Sequence, residues 1–174
     1  MPKHFPDIVD PWRLLDQEQV IESRIRLASM GRLSPLLYDK GGEEEAGFRL
    51  SFHRDRERHA VIHCEIKATL VLACQRCLEP MSLSLEIDSR LALVEGLEQA
   101  ERLPEELEPL MLENDPVLHI AELVEDELLL AVPDAPKHSE ADCAPVQGAD
   151  MDAAMENTQV EPNPFDILAV LKKR

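Results

Sequence analysis

Apolar and polar residues alternate along two long stretches in the middle of the chain. Between Ala60 and Leu72 the even-numbered positions are apolar, and between Met81 and Leu93 apolar residues occupy odd-numbered positions. A period of two is typical of β-strands that have one packed face and one wet face. The pattern therefore predicts two long antiparallel strands, separated by a break at residues 74–80.

Shorter patterns predict the elements around this pair of strands. Residues 48–52 alternate in the same way and predict a half-buried strand, and residues 110–112 predict one more strand. Residues 95–108 are acidic and interrupted by Pro104, which indicates a loop or a short helix. Ile120, Leu123, Val124 and Leu128 recur at helical spacing, so a helix is expected to cover the sheet there.

Residues 16–30 predict a second, N-terminal helix. Apolar residues recur there at near-helical spacing, with Asp16 as a possible cap and Gly31 as a stop. The expected fold class is therefore α+β: an antiparallel sheet with a long central hairpin, covered by one or two helices.

The composition changes after Pro133. Almost no large apolar residue occurs before Pro162, which indicates a flexible acidic C-terminal tail that cannot bury enough apolar surface to order itself. Residues 163–174 then predict a short terminal helix for docking, with its apolar residues at Phe165, Ile167, Leu168 and Leu171. The predicted organisation is a single α+β domain at 1–133, a flexible linker at 134–162 and a docking helix at 163–174.

The charge is strongly negative and unevenly distributed. The formal net charge is -17, and residues 61–133 hold four Lys or Arg against sixteen Asp or Glu. Such a surface repels a phosphate backbone and attracts basic proteins, so DNA is not an expected partner. The sequence contains no apolar run of about 18 residues, as a membrane helix would require. A cytoplasmic protein with no membrane contact is expected.

Four residues form a candidate metal site. Cys74-Gln75-Arg76-Cys77 is a C-x-x-C motif between the two strands, and His138 and Cys143 follow some sixty residues later. Together they supply the three thiols and one imidazole of a closed zinc site. Two alternatives stay open: the motif is only a turn and binds no cofactor, or it is a redox dithiol, although such dithiols usually precede a helix.

Other candidate residues have a plainer interpretation. Arg54, Arg56 and Arg58 form a local basic group that suits contact with RNA phosphate, but a solvated sheet face is the favoured interpretation. Cys64 falls on the apolar side of its strand and is expected to be buried. The acidic residues at 122–127 are expected to form a solvated helix face. No phosphate-binding glycine loop or nucleophile elbow occurs, so no enzyme activity is predicted.

Several of these segments together resemble the bacterial YceD family. The similar segments, in the family's order, are Cys74-Gln75-Arg76-Cys77-Leu78-Glu79-Pro80, the Val124-Glu125-Asp126-Glu127-Leu128-Leu129-Leu130-Ala131-Val132-Pro133 block, the stretch from His138 to Cys143, and residues 163–174. The resemblance is most specific in the cysteine turn and the C-terminal block.

This resemblance implies a role in producing the large ribosomal subunit. Family members are required for normal synthesis, processing or stability of 23S ribosomal RNA, and the resemblance implies no catalytic residue. The partners it suggests are basic ribosomal proteins of the large subunit or ribosomal precursor RNA. Three hypotheses follow: a non-enzymatic assembly factor, a protein that binds precursor RNA directly through Arg54, Arg56 and Arg58, and a thiol oxidoreductase that uses Cys74 and Cys77.

Overall fold

The computed structural model describes residues 5–39, 42–112, 117–139 and 142–143. Its centre is a five-stranded sheet with the strand order β2-β3-β4-β5-β6. The strands are β2 (Val20–Arg26), β3 (Glu45–Arg54), β4 (Ala60–Ala73), β5 (Pro80–Val94) and β6 (Glu108–Met111). With the helices described below, this confirms the predicted α+β class.

The pairing of β4 with β5 is the longest in the sheet. The two strands run antiparallel, in a register from Val61 opposite Ala92 to Ala73 opposite Pro80. Strand β6 pairs in parallel with the last four residues of β5, so the sheet is mixed and not purely antiparallel as predicted. The chain can add β6 in parallel because residues 95–107, including the short helix α2 (Leu97–Ala100), carry it back along the sheet.

The predicted helix over residues 16–30 is wrong. The chain forms strand β2 there, antiparallel to β3, and then a 3₁₀ turn at Leu27–Ser29. Exposure alternates along β2, with Ile21 and Ile25 half-buried. These β-branched residues suit a pleated sheet, and pairing with β3 outweighs the weak helical spacing. The helix in this region lies earlier: α1 (Pro11–Asp16) begins at Asp10, whose carboxylate accepts the Trp12 and Arg13 N–H groups.

One face of the sheet carries the core. Inward side chains such as Phe52, Ile62, Ile66 and Leu70 are at most 1 % exposed. Helix α3 (Ile120–Ala131) packs on this face, with its buried side at Ile120, Leu123, Val124 and Leu128 as predicted. Its first turn is anchored by a small sheet in which β1 (Ile8–Val9) pairs with β7 (Leu118–His119). No helix in the described part of the chain is long and apolar enough to cross a membrane.

The acidic side of α3 is not wholly solvated, contrary to expectation. Glu125 and Glu127 are 6 % and 7 % exposed. Glu125 accepts the backbone N–H groups of Arg32 and Leu33 at 2.6 and 2.9 Å, and the Arg32 guanidinium pairs with it at 3.2 Å. Burial opposes ionisation of Glu125, but these donors outweigh burial and lower its pKa. The carboxylate therefore fastens the loop before β3 to the helix.

Replacing Glu125 tests this attachment. Glu125→Ala leaves the buried Leu33 N–H and the part-buried Arg32 N–H without their acceptor, so we expect the free energy of unfolding to fall by about 2–4 kcal/mol. The exposed residue Glu122 provides the control: Glu122→Ala should change the free energy of unfolding by no more than about 0.5 kcal/mol. Because the pKa of Glu125 is lowered in the folded state, the difference between wild type and Glu125→Ala should shrink as the pH falls through that pKa. Equal urea denaturation midpoints for the two variants would contradict the assignment.

Candidate metal centre

The C-x-x-C motif occupies the turn that joins β4 to β5. The Cys74 N–H donates to the Glu79 carbonyl, and the Leu78 N–H donates to the Cys74 carbonyl, both at 2.9 Å. Leu78 adopts a left-handed backbone with φ of 63°, and its side chain is 70 % exposed. A non-glycine residue pays a steric cost in that conformation, so the turn is held by the contacts around it.

The chain after α3 returns to this turn. The Gln75 N–H donates to the Pro136 carbonyl at 2.8 Å, and the His138 N–H points to the Cys74 sulfur at 3.4 Å. A further turn follows, in which the Cys143 N–H donates to the Ser139 carbonyl at 3.1 Å. These backbone contacts bring His138 and Cys143 beside the C-x-x-C motif, although they lie far from it in the sequence.

The four predicted ligands converge. The ligand atoms of Cys74, Cys77, His138 and Cys143 all lie within 4.8 Å of one another. The Cys74 and Cys143 sulfurs are 3.9 Å apart, and the Cys77 sulfur is 3.3 Å from His138 Nδ1. In a tetrahedral zinc site with Zn–S of about 2.3 Å and Zn–N of about 2.0 Å, ligand atoms are separated by roughly 3.5–3.8 Å. The cluster can therefore hold a metal ion such as zinc with little rearrangement.

The orientation of the His138 ring suits a ligand role. Its Nε2 lies 3.1 Å from the Pro80 carbonyl oxygen. A carbonyl only accepts hydrogen bonds, so Nε2 carries the proton and Nδ1 keeps its lone pair. That lone pair faces the sulfurs. A backbone carbonyl that fixes the tautomer in this way is the usual support of a metal-bound histidine.

The thiols of the cluster do not ionise alike. Burial of Cys74 opposes ionisation, but hydrogen bonds from the backbone N–H groups of Cys77, His138 and Arg76 outweigh burial and lower its pKa to about 5. Burial raises the pKa of Cys143, and hydrogen bonds to Cys77 and Cys74 and their negative charge raise it further. A bound divalent cation would offset this repulsion between neighbouring thiolates, because it stabilises every thiolate that binds it.

The basic residues predicted near the β3–β4 turn are only partly brought together. Arg54 and Arg58 line a cleft of about 350 Å³ with Trp12 and Arg102, two residues that the sequence did not single out. Arg56 does not line this cleft, and Arg54 pairs with the Asp16 carboxylate at 3.8 Å.

Two further predictions concern residues outside the cluster. Cys64 is fully buried as predicted, and burial, followed by the charge of Glu127, raises its pKa to about 12. The docking-helix residues Phe165, Ile167, Leu168 and Leu171 lie outside the described residues.

Comparison with known proteins identifies the family. Residues 62–172 match the family described as large ribosomal RNA subunit accumulation protein YceD. A relative of that name from Haemophilus influenzae is 34% identical over 131 residues, which cover 75% of each chain. The chain belongs to the YceD family. The match includes all four residues of the cysteine and histidine cluster. No solved structure matches the chain.

Removal of the first two ligands tests the role of the cluster. A structural zinc site contributes several kcal/mol or more to the free energy of folding. If the cluster binds such a metal, Cys74→Ser with Cys77→Ser should therefore lower the melting temperature markedly. A chelator should lower the melting temperature of the wild type toward that of the variant. Ser84→Ala, on the exposed side of β5, is the control. Equal melting temperatures for Cys74→Ser/Cys77→Ser and Ser84→Ala would refute a stabilising centre.

Proposed function

We propose that this YceD-family protein is a non-enzymatic factor that supports the accumulation of 23S ribosomal RNA and the assembly of the large subunit. The family description and the name of the Haemophilus relative support the ribosomal part of the proposal. The observation that carries the non-enzymatic part is the convergence of Cys74, Cys77, His138 and Cys143. A site with four protein ligands is typical of structural zinc, whereas catalytic zinc keeps one position open for water or substrate.

The setting of the cysteine pair favours a structural metal over redox chemistry. A reactive dithiol needs an accessible sulfur, usually at a helix N-terminus. Cys74 is instead fully buried, in a hairpin turn that leads into a strand. The imidazole of His138 would have no part in a simple dithiol exchange. We therefore place the oxidoreductase hypothesis last.

A basic protein is the partner that the charge distribution favours. Acidic residues outnumber basic ones over much of the described fold, and the segment after β5 is one example, with carboxylates at Glu95, Glu98, Glu101, Glu105, Glu106 and Glu108 and a single cation, Arg102. That cation pairs with Glu98. Ribosomal proteins of the large subunit are the basic proteins that the proposed role offers. In this proposal the acidic surface holds one of them before it reaches the RNA.

Direct binding of precursor RNA is the second candidate, and the cleft beside Trp12 supports it. An indole ring and three arginines in one cleft can stack on a base and contact phosphates. Carboxylates nevertheless pair with two of these arginines, Arg54 and Arg102. A phosphate would have to compete with Asp16 and Glu98, so RNA contact ranks behind protein contact. Loss of co-purified ribosomal proteins after ribonuclease treatment would reverse this order.

The proposed docking role of residues 163–174 is supported by the sequence pattern. Phe165, Ile167, Leu168 and Leu171 give this segment an apolar side after a long polar stretch, and a helix of about ten residues needs a binding surface to be stable. We propose that it contacts a partner of the assembly pathway.

Deletion of the gene tests the proposed function. Cells without the protein should contain less 23S RNA relative to 16S RNA and fewer free large subunits, as measured by RNA quantification and sucrose gradients. Ser84→Ala should restore the ratio, and Cys74→Ser/Cys77→Ser should restore it incompletely because its fold is weakened. Gradient profiles identical to wild type in the deletion strain would overturn the proposal.

A further inference from the structure

The outer edge of β5 is open over most of its length. Strand β6 pairs only with Leu91, Ala92, Leu93 and Val94, and in the described part of the chain no other strand pairs with residues 80–90 on that side. The open stretch is regular in its pairing with β4 on the other side, without a bulge. Its free backbone N–H and C=O groups offer a template to which another strand can add.

An apolar stripe runs beside this edge. Met81, Leu83, Leu85 and Ile87 point to the core side of the sheet, yet they are only half-buried, whereas their neighbours on β4 are almost fully buried. Across from them, Glu127 on α3 accepts the Ser89 hydroxyl at 2.6 Å. Leu130 lies one turn further along the same side of the helix and is 78 % exposed. The apolar stripe on β5 is therefore only partly covered by the rest of the described fold.

The open edge of β5 is protected against pairing by Pro80 at its start and by mainly acidic side chains. Natural edge strands often carry lysine, arginine or proline that discourages a further strand. The opposite edge of this sheet, β2, carries Arg24 and Arg26. Residues 79–89 contain no Lys or Arg but three acidic residues, Glu79, Glu86 and Asp88. The side chains of Glu86 and Asp88 are 76% and 72% exposed and contact Lys67 Nζ and His63 Nε2 of β4 at 3.1 and 2.9 Å, so a basic segment would share or displace these solvent-exposed contacts.

We propose that the edge of β5 binds an extended segment of a basic protein, in which apolar residues alternate with lysine or arginine. The segment would add a strand beside residues 81–89, place its apolar side chains next to Leu83, Leu85 and Ile87, and place its cations near Glu86 and Asp88. The inference deepens the proposed function and rests on it, because it names the surface on which an assembly factor would hold a basic ribosomal protein.

Charge decides between this partner and a second copy of the chain. Antiparallel pairing of two β5 edges is geometrically possible, but it would bring together two stretches that each carry Glu79, Glu86 and Asp88 against one cation, Arg90. Like charges across a strand pair are destabilising, whereas a lysine or arginine strand neutralises the edge. The edge is therefore suited to a basic partner more than to itself.

A synthetic peptide of ten residues that alternates lysine and valine tests the proposal with the full-length protein. Its binding is measured by fluorescence anisotropy, and its position by hydrogen exchange of the backbone amides. Binding should protect amides of residues 81–89, weaken with salt, and be absent for the peptide in which glutamate replaces lysine. Glu86→Lys with Asp88→Lys should weaken binding by about tenfold or more.

The matched control has the same change in charge away from the edge. Glu18→Lys with Glu22→Lys alters exposed residues at and just before β2, on the opposite edge of the sheet, and should weaken binding by about twofold at most. Both double variants should melt within a few degrees of wild type, since exposed ion pairs contribute little to stability. Protection elsewhere, equal weakening in both variants, or protection of residues 81–89 by self-association without peptide would overturn the inference.

The same variants separate this inference from the proposed function. If deletion lowers 23S RNA and Glu86→Lys/Asp88→Lys fails to restore it while Glu18→Lys/Glu22→Lys succeeds, the edge serves the ribosomal role. If deletion lowers 23S RNA but both variants restore it fully, the inference fails and the proposed function stands. If deletion leaves 23S RNA unchanged, the proposed function itself fails.

Discussion

A five-stranded sheet with one apolar face must be covered, and among the described residues one long helix, α3, covers it. Helix α3 packs on the middle of the face, and α1 and the loop at residues 27–39 cover part of the rest. Two sets of contacts hold these covering segments in place. The Glu125 carboxylate of α3 binds the loop, and the cysteine and histidine cluster lies at the end of the hairpin. The cover leaves the first half of β5 only partly buried, and that is where the open edge lies.

Local patterns were enough to predict much of this fold. Alternation identified β3, β4 and β5 because each strand has one buried and one exposed face, and helical spacing identified α3. Residues 20–26 were mistaken for part of a helix because the strand there is at an edge and lacks a fully buried side. The parallel addition of β6 and the burial of Glu125 depend on partners distant in the sequence, for which no local pattern gives a signal.

The candidate metal site, too, could be predicted from the sequence only in part. The residue types and the C-x-x-C spacing predicted its four members. Their proximity depends on the length of α3 and on the Pro136 carbonyl, which binds the turn and returns the chain to it. The proton on His138 Nε2 could be assigned only once the Pro80 carbonyl was found beside it. The open edge of β5 was missed because an unpaired strand side looks identical in sequence to a paired one.

The proposed function would use both the cysteine and histidine cluster and the open edge of β5. The cluster would hold the segment after α3 against the hairpin turn, and the rigid hairpin would present an acidic edge with an apolar stripe. Such a surface suits temporary binding of a basic segment: main-chain pairing supplies affinity, and the charge favours basic partners over others. The proposed role requires no reaction, and four protein ligands would fill a tetrahedral zinc site of the structural kind.

The presence of zinc in the native protein tests the central claim most directly. Protein purified without an affinity-tag metal or chelator should be analysed for metal content and by native mass spectrometry. The account predicts about one zinc ion per chain in wild type, and a loss of that mass in variants that lack Cys74 or His138. Metal-free wild-type protein with the same fold and the same melting temperature after zinc is added would contradict it.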